Sequence, residues 1–346
     1  MIGRRVTRET LDTAPLDGMV LAADVRDGHG RVVRGKGDVL SHADRDVLAS
    51  ATWQELHLVV LETNDVHERA AGERLARAVA GSGVVVGAFS GGQWPIRATS
   101  RGVLQVNVDS LCSVNESAEL SVYTLFDGQV VEAGETVARA KIIPFAIPEA
   151  VIASGESRAA ASGPVVAVRA FQPRRVAALV QESLGARATE RFRAVFGEKV
   201  RWFGGVMSDP VFVAPEVDVV RGAMDALLAA RPDLLVVAGS RTMDPLDPVF
   251  DALVASGARL LRRGLPAHPG SLCWVAQRGD TTIIGMPSCG VFSQATIFDL
   301  LLTWVFAGVP LDAGLLARIG HGGFLTKDMA FRFPPYRLAG DRGEVE

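Results

Sequence analysis

The chain has 346 residues, 48% of them hydrophobic and 22% charged, with a formal net charge of −3. This length exceeds one typical core and suits two or three domains, and the apolar content excludes a disordered chain. The slight acidic excess argues against nucleic acid as the main partner, because such binders carry a basic excess or a basic face.

Residues 1–163 read as a β-rich α+β region, open to division into two small subdomains. GMVLAADV at 18–25 reads as a strand, with a second short strand at 30–33. Ser41 and Asp44 have capping-box spacing and open a short helix. Residues 55–60 form another apolar strand. Asn64 is placed to cap the helix NDVHERAAGERLARAVAG, which Gly81 ends. From 84 to 143 the apolar pattern alternates, with turns at Gly91-Gly92, Asp127-Gly128 and Ala133-Gly134. The stretch 154–163, rich in Ala, Ser and Gly, is expected to be a linker or loop between domains.

The rhythm then changes. RVAALV at 175–180 is a strand, followed by the loop QESLGAR and a helix near 188–196. A strand spans 200–206. An amphipathic helix spans 215–230, with Val217, Val220, Met224, Leu227 and Leu228 on one face. LLVVA at 234–238 is a continuous apolar strand. Asp247 caps the next helix, Pro248 suits its first position and Gly257 ends it. Leu260 and Leu261 begin another strand, 281–285 is the last buried strand, and 292–308 the last long helix. Alternating apolar strands and helices predict an α/β domain whose parallel sheet is covered on both faces. Ligands then bind beyond the carboxyl ends of the strands.

Two strand-to-helix loops offer chemistry there. In GSRTMDPLD, 239–247, Gly239 permits close backbone approach, Ser240 and Thr242 bring hydroxyls, and Arg241 has a fork suited to phosphate. Asp244 and Asp247 either hold a cation or cap; for Asp247 the cap is the simpler role. In GMPSCG, 285–290, Gly285, Pro287, Ser288, Cys289 and Gly290 stand between a buried strand and a helix start, a setting that favours an anion. A thiol there is either activated or packed and inert. His268, between Pro266 and Pro269, is either a surface residue or part of the same edge with Gly270 and Ser271.

Cys112, Cys273 and Cys289 are odd in number and form no CxxC or Cys/His cluster. Neither zinc nor a disulfide framework is indicated, and a reducing, cytoplasmic setting is expected. MIGRRVTRETLDTAP lacks the apolar core of a secretory signal, and the apolar run 297–309 contains Asp299 and is too short to span a bilayer, so no membrane partner is expected. No P-loop, GxGxxG, HExxH or GxSxG is present.

In order along the chain, VVAGSRTMDPLD, HPGS and GMPSCG resemble three loops of the molybdopterin-binding domain family, which includes molybdotransferases and adenylyltransferases of the MoeA and MogA types. The resemblance covers about 172–310. Gly239, Ser240 and Asp244 match its Gly-Gly-Ser loop with a following acid, His268–Ser271 its Pro-Gly turn, and Gly285 and Pro287 its Gly-Leu-Pro-Gly-Asn-Pro loop. The chain departs from its Thr-Gly-Asp-Glu loop, which is here VQESLGAR with only Glu182 and Gly185 to stand in, and Ala238 replaces the first glycine of the pair. The GxVLAxDV start and the KIIP stretch resemble the extra domains of the molybdotransferase type.

The resemblance implies a three-layer α/β/α domain at 172–312 with a mostly parallel sheet, and a C-terminal tail at 313–346. It implies a molybdopterin or molybdopterin-adenylate ligand held by Gly239, Ser240, Arg241, Thr242, His268, Pro269, Gly270, Ser271, Gly285, Pro287, Ser288, Cys289 and Gly290. It implies a role in molybdenum cofactor biosynthesis, insertion or delivery, a molybdoenzyme apoprotein as partner, and a homodimer. The alternative is an active molybdotransferase using Mg²⁺ and molybdate, with Asp244 and Glu182 catalytic and Asp244 and Asp209 on the metal. A third possibility is a regulatory or scaffold protein that kept the fold without the chemistry.

Overall fold

A computed structural model of the chain describes residues 1–182, 184–286 and 296–336. Helices and strands are mixed throughout, and the chain divides into two compact units, mainly before and after residue 168.

The second unit is built on one mixed sheet. Its strands are β1 (Arg175–Val180), β2 (Val206–Met207), β3 (Val211–Phe212), β4 (Leu234–Ala238), β5 (Arg259–Arg263), β6 (Trp274–Arg278) and β7 (Thr281–Met286). Its helices are α1 (Ala186–Trp202), α2 (Val217–Ala229), α3 (Pro248–Ala255), α4 (Ile297–Phe306) and α5 (Ala313–Arg318). Strands β2 and β3 both pair with the edge of β1, and the order then runs β1, β4, β7, β6, β5. Strands β2, β3, β1, β4 and β7 pair in parallel, whereas β6 and β5 join antiparallel.

Alternate side chains of β1 separate into two cores. Val176, Ala178 and Val180 join Phe192, Phe196 and Val200 of α1 and Phe298 and Leu301 of α4. Ala177 and Leu179 join Val220, Met224 and Leu228 of α2 and Val249, Ala252 and Leu253 of α3. Burial on both faces is what makes β1 and β4 read as continuous apolar runs. The buried stripe of α2 is narrower than its sequence suggests, because Val217 opens the helix and stays exposed.

Strand β6 was not foreseen. It pairs with β7 through a two-residue turn at Gly279-Asp280, where Gly279 has φ +54°. Glycine at the first turn position suits a tight hairpin, so QRGDTT carried a signal for it. Leu316, Ile319, Leu325, Phe333 and Tyr336 are buried in the same core as α1 and α4.

In the first unit, Ile2–Thr7 and Val20–Leu21 flank Glu55–Val60 in a small antiparallel sheet. Its core contains Leu16, Leu40, Leu48 and Leu58. The Ser41–Asp44 capping box forms as its spacing indicates. A second core gathers Leu75 and Val79 of the helix Glu68–Val79, Ile96, Leu104, Val122 and Ile152. Two expectations are corrected here. Asn64 does not cap that helix: residues 65–67 form a strand paired with 146–148, and His67 is the cap. The supposed linker 154–163 mostly belongs to a helix, Glu149–Ala160. Small residues there signal close packing, since a methyl on Gly155 would lie 2.5 Å from Leu120 Cδ1.

Candidate functional site

The carboxyl ends of β1, β4 and β7 lie side by side in the second unit. Backbone bonds continue past the strands: Gln181 N donates to Ala238 O at 3.0 Å, and Gly239 N to Met286 O at 3.0 Å. After β1 the chain leaves for α1 on one face, and after the adjacent β4 it leaves for α3 on the other. Neighbouring strands whose connections depart to opposite faces open a crevice at their carboxyl ends.

Gly239 begins the β4–α3 loop at φ +84°, a conformation that favours glycine. Ser240 is buried, and its Oγ accepts the indole N–H of Trp274 at 3.0 Å. Thr242 is also buried, and its hydroxyl donates to Leu272 O. Both hydroxyls therefore anchor the loop. Arg263 clamps it from outside, donating to Thr242 O at 2.7 Å and Asp244 O at 2.9 Å, with its guanidinium 4.0 Å from the Phe250 ring centroid.

Asp247 is the α3 N-cap, accepting from Val249 N at 3.0 Å. Its carboxylate also accepts Arg241 N and, at 2.7 Å, Gln181 Nε2. A carboxylate already neutralises the positive end of α3. Arg241 remains the exposed cation of the loop, with one long ion pair to Asp244 at 3.8 Å. Asp244 accepts Leu246 N at 3.0 Å in a local turn.

Gln181 was missed in the sequence. Its amide is 3% exposed, and the carboxylate of Asp247 fixes which end carries the nitrogen. Its Oε1 is buried and has no hydrogen-bond partner among the described residues. The available signal was a polar residue directly after a continuous apolar strand.

The remaining expected residues are spread over the unit. Glu182 is exposed beside Gln181, and Asp209 is exposed in the connection between β2 and β3. His268 and Pro269 are exposed. The His268 backbone is bonded on both sides, to Gly323 O and from Leu325 N, each at 2.8 Å. Gly270, at φ +111°, packs against α4: a methyl there would lie 2.3 Å from Ile297 Cγ2. Ser271 is exposed, and its carbonyl accepts Leu265 N at 3.0 Å. Gly285 lies inside β7, opposite Trp274, where a methyl would fall 1.8 Å from the indole Cε2. Gly285 thus makes room for the ring that holds Ser240. Pro287, Ser288, Cys289 and Gly290 lie outside the described residues.

The start of α4 is internally satisfied. Thr296 and Asp299 form a capping box, and Ile297 N donates to Pro269 O at 3.2 Å. Asp299 accepts Lys199 Nζ at 2.7 Å, and both side chains are fully buried. Burial pushes the Asp299 carboxyl up, and the Lys199 ammonium opposes that shift.

Among the described residues, no group of three or more His, Cys, Asp or Glu could hold a metal ion, and no helix is long and apolar enough to cross a membrane. A cavity of about 720 Å³ opens at the opposite, amino end of the parallel strands, lined by Arg174, Asp233, Gln277, Thr282, Pro310 and Asp312 among others.

No family model matches the chain, and no curated protein matches it. Among solved structures it is similar to a molybdenum cofactor biosynthesis protein from Pyrococcus furiosus, at 11% identity and a TM-score of 0.24, over 90% of this chain and 66% of that one. It is also similar to a molybdopterin biosynthesis MoeA protein from Pyrococcus horikosii, at 12% identity and a TM-score of 0.29, over 92% of this chain and 77% of that one. The chain thus spans just under two thirds of the length of the first. Likeness at these values establishes neither the fold nor the function of this chain.

Proposed function

We propose that the protein binds molybdopterin or its adenylate and serves molybdenum cofactor biosynthesis, insertion or delivery. The observation that carries this reading is that the adjacent strands β1 and β4 connect to helices on opposite faces of the sheet, an arrangement at whose carboxyl end ligands bind. The loop that follows β4, Gly239–Asp247, is one of the three whose sequence resembles the molybdopterin-binding family. The donor set suits such a ligand: Arg241 is an exposed fork for its phosphate. A buried amide oxygen at Gln181 is the kind of acceptor that ring N–H groups satisfy.

The described acids suit Mg²⁺ poorly. Asp244 turns onto its own loop and faces Arg241, and no acidic trio forms. Binding without metal-dependent transfer is therefore the preferred form of the proposal, and delivery to a molybdoenzyme apoprotein its natural extension. The test is calorimetric titration of molybdopterin-adenylate, with and without Mg²⁺ and molybdate. Binding without AMP release supports a carrier. Release of AMP replaces this with molybdotransfer, and no binding in any condition overturns the reading.

A further inference from the structure

The first unit contains a cluster of opposite charges that do not pair. Glu68 opens the helix Glu68–Val79 and is half-buried. Lys36, Arg69 and Lys141 and the His67 ring are close enough to act on its carboxylate. Among the described residues, no ion pair or side-chain hydrogen bond joins Glu68 to any of them, and the three cations have no carboxylate partner either. Nearby opposite charges normally collapse onto one another.

Aromatic rings hold two of the cations back. Lys36 Nζ lies 5.4 Å from the Phe145 ring centroid, and the Arg69 guanidinium lies 4.9 Å from that of Phe89. His67 is engaged elsewhere: its Nδ1 accepts Arg69 N at 3.2 Å, so Nε2 carries the proton and donates to Gly37 O at 3.1 Å. Two glycines at positive φ face the group. A methyl on Gly37 would lie 2.6 Å from Glu68 Oε1. A methyl on Gly92 would lie 3.5 Å from Lys141 Nζ and 4.0 Å from Glu68 Oε2. The bare face of Gly92 therefore looks onto a cation and a carboxylate that remain apart.

We infer that Lys36, Arg69, Lys141 and Glu68 form an anion site for a phosphate group that carries a proton. Three cations supply donors to the phosphate oxygens. An ionised glutamate among them repels a fully ionised anion but accepts the P–OH of a hydrogen phosphate, so one proton is shared between the two acids. Burial pushes the Glu68 carboxyl up, the charges of Lys141, Lys36 and Arg69 oppose that shift, and the raised value helps it share that proton. The site is independent of the pterin reading.

Sulfate is the discriminating probe, because it has the charge and shape of phosphate and no proton to give. Full-length protein is titrated calorimetrically with inorganic phosphate, methyl phosphate and sulfate. At about pH 8, phosphate should bind at least about tenfold more tightly than sulfate, the worth of one charge-assisted hydrogen bond. Glu68→Gln, nearly isosteric and able to donate, should bind both anions alike. Lys141→Met and Arg69→Met should each weaken phosphate by about fivefold or more. Binding of methyl phosphate at about pH 6, where the ester keeps its proton, would assign the site to phosphorylated metabolites; rejection of methyl phosphate would assign it to the free ion. Equal binding of phosphate and sulfate by the native protein, no binding of either, or Lys141→Met and Arg69→Met that bind phosphate normally while native circular dichroism is kept, would overturn the site.

Discussion

Asp247 shows how one side chain sets a loop. It caps α3, takes the Arg241 amide and holds the Gln181 side chain. Asp247→Ala should lower stability by about 1–3 kcal/mol, since a cap is lost, the Arg241 amide loses its acceptor and Gln181 Nε2 keeps only a long bond to Gly239 O at 3.4 Å. Urea unfolding measures this directly. Arg241 is the opposite case, an exposed cation whose loss should leave the urea midpoint unchanged. Arg241→Ala should weaken molybdopterin binding by about tenfold; unchanged affinity would remove Arg241 from the proposed site. Gly285→Ala tests the packing behind Ser240. The added methyl would enter the Trp274 ring and cost about 1–3 kcal/mol by overpacking, read from the same denaturation curves.

Two charged elements depend on their surroundings in different ways. The start of α4 rests on the buried Lys199–Asp299 pair. Lys199→Met should cost about 3–5 kcal/mol, because it leaves a carboxylate buried without its cation. Adding Asp299→Asn should return part of that loss, and a double-mutant cycle measures the coupling. In the first unit, Asp44 caps a short helix and pairs with Arg34. The Ser41 backbone N–H holds its carboxyl below the ordinary range, and Arg34 adds to the effect. A lowered folded value means that the stabilisation is present above the unfolded carboxylate pKa and is lost as pH falls through the folded one. Asp44→Asn should therefore lose stability at neutral pH and show a flatter decline below about pH 4. An unchanged acid limb in thermal unfolding would count against this.

At the scale of the molecule, residues 313–336 contribute to the second unit's core. Leu316, Ile319, Leu325, Phe333 and Tyr336 are all buried there. Each buried apolar side chain contributes about 1.5–3 kcal/mol, so removing five reaches the whole stability of an ordinary domain, about 5–15 kcal/mol. A chain ending at Asp312 should lose the dispersed amide spectrum of this unit. A native spectrum would show that these residues are dispensable.

Much of the second unit could be read in advance. Continuous apolar runs located β1, β4 and β7, and Asp247-Pro248 marked the start of α3. These signals are local: a strand buried on both faces and a capped helix each write themselves within about ten residues. The candidate loop was legible for the same reason, because a glycine, hydroxyls and an arginine after a buried strand are contiguous. What those side chains do was not legible. Ser240 and Thr242 were expected to face a ligand and instead bond to Trp274 and Leu272, about thirty positions away. Gln181 meets Asp247 across 66 positions, and Lys199 meets Asp299 across 100. Lys36 and Lys141, which form no ion pair among the described residues, reach Glu68 from segments that only the fold brings together. Periodicity and caps follow from neighbours three or four residues apart. A hydrogen bond depends on distance and angle, and tertiary packing alone sets these between distant positions.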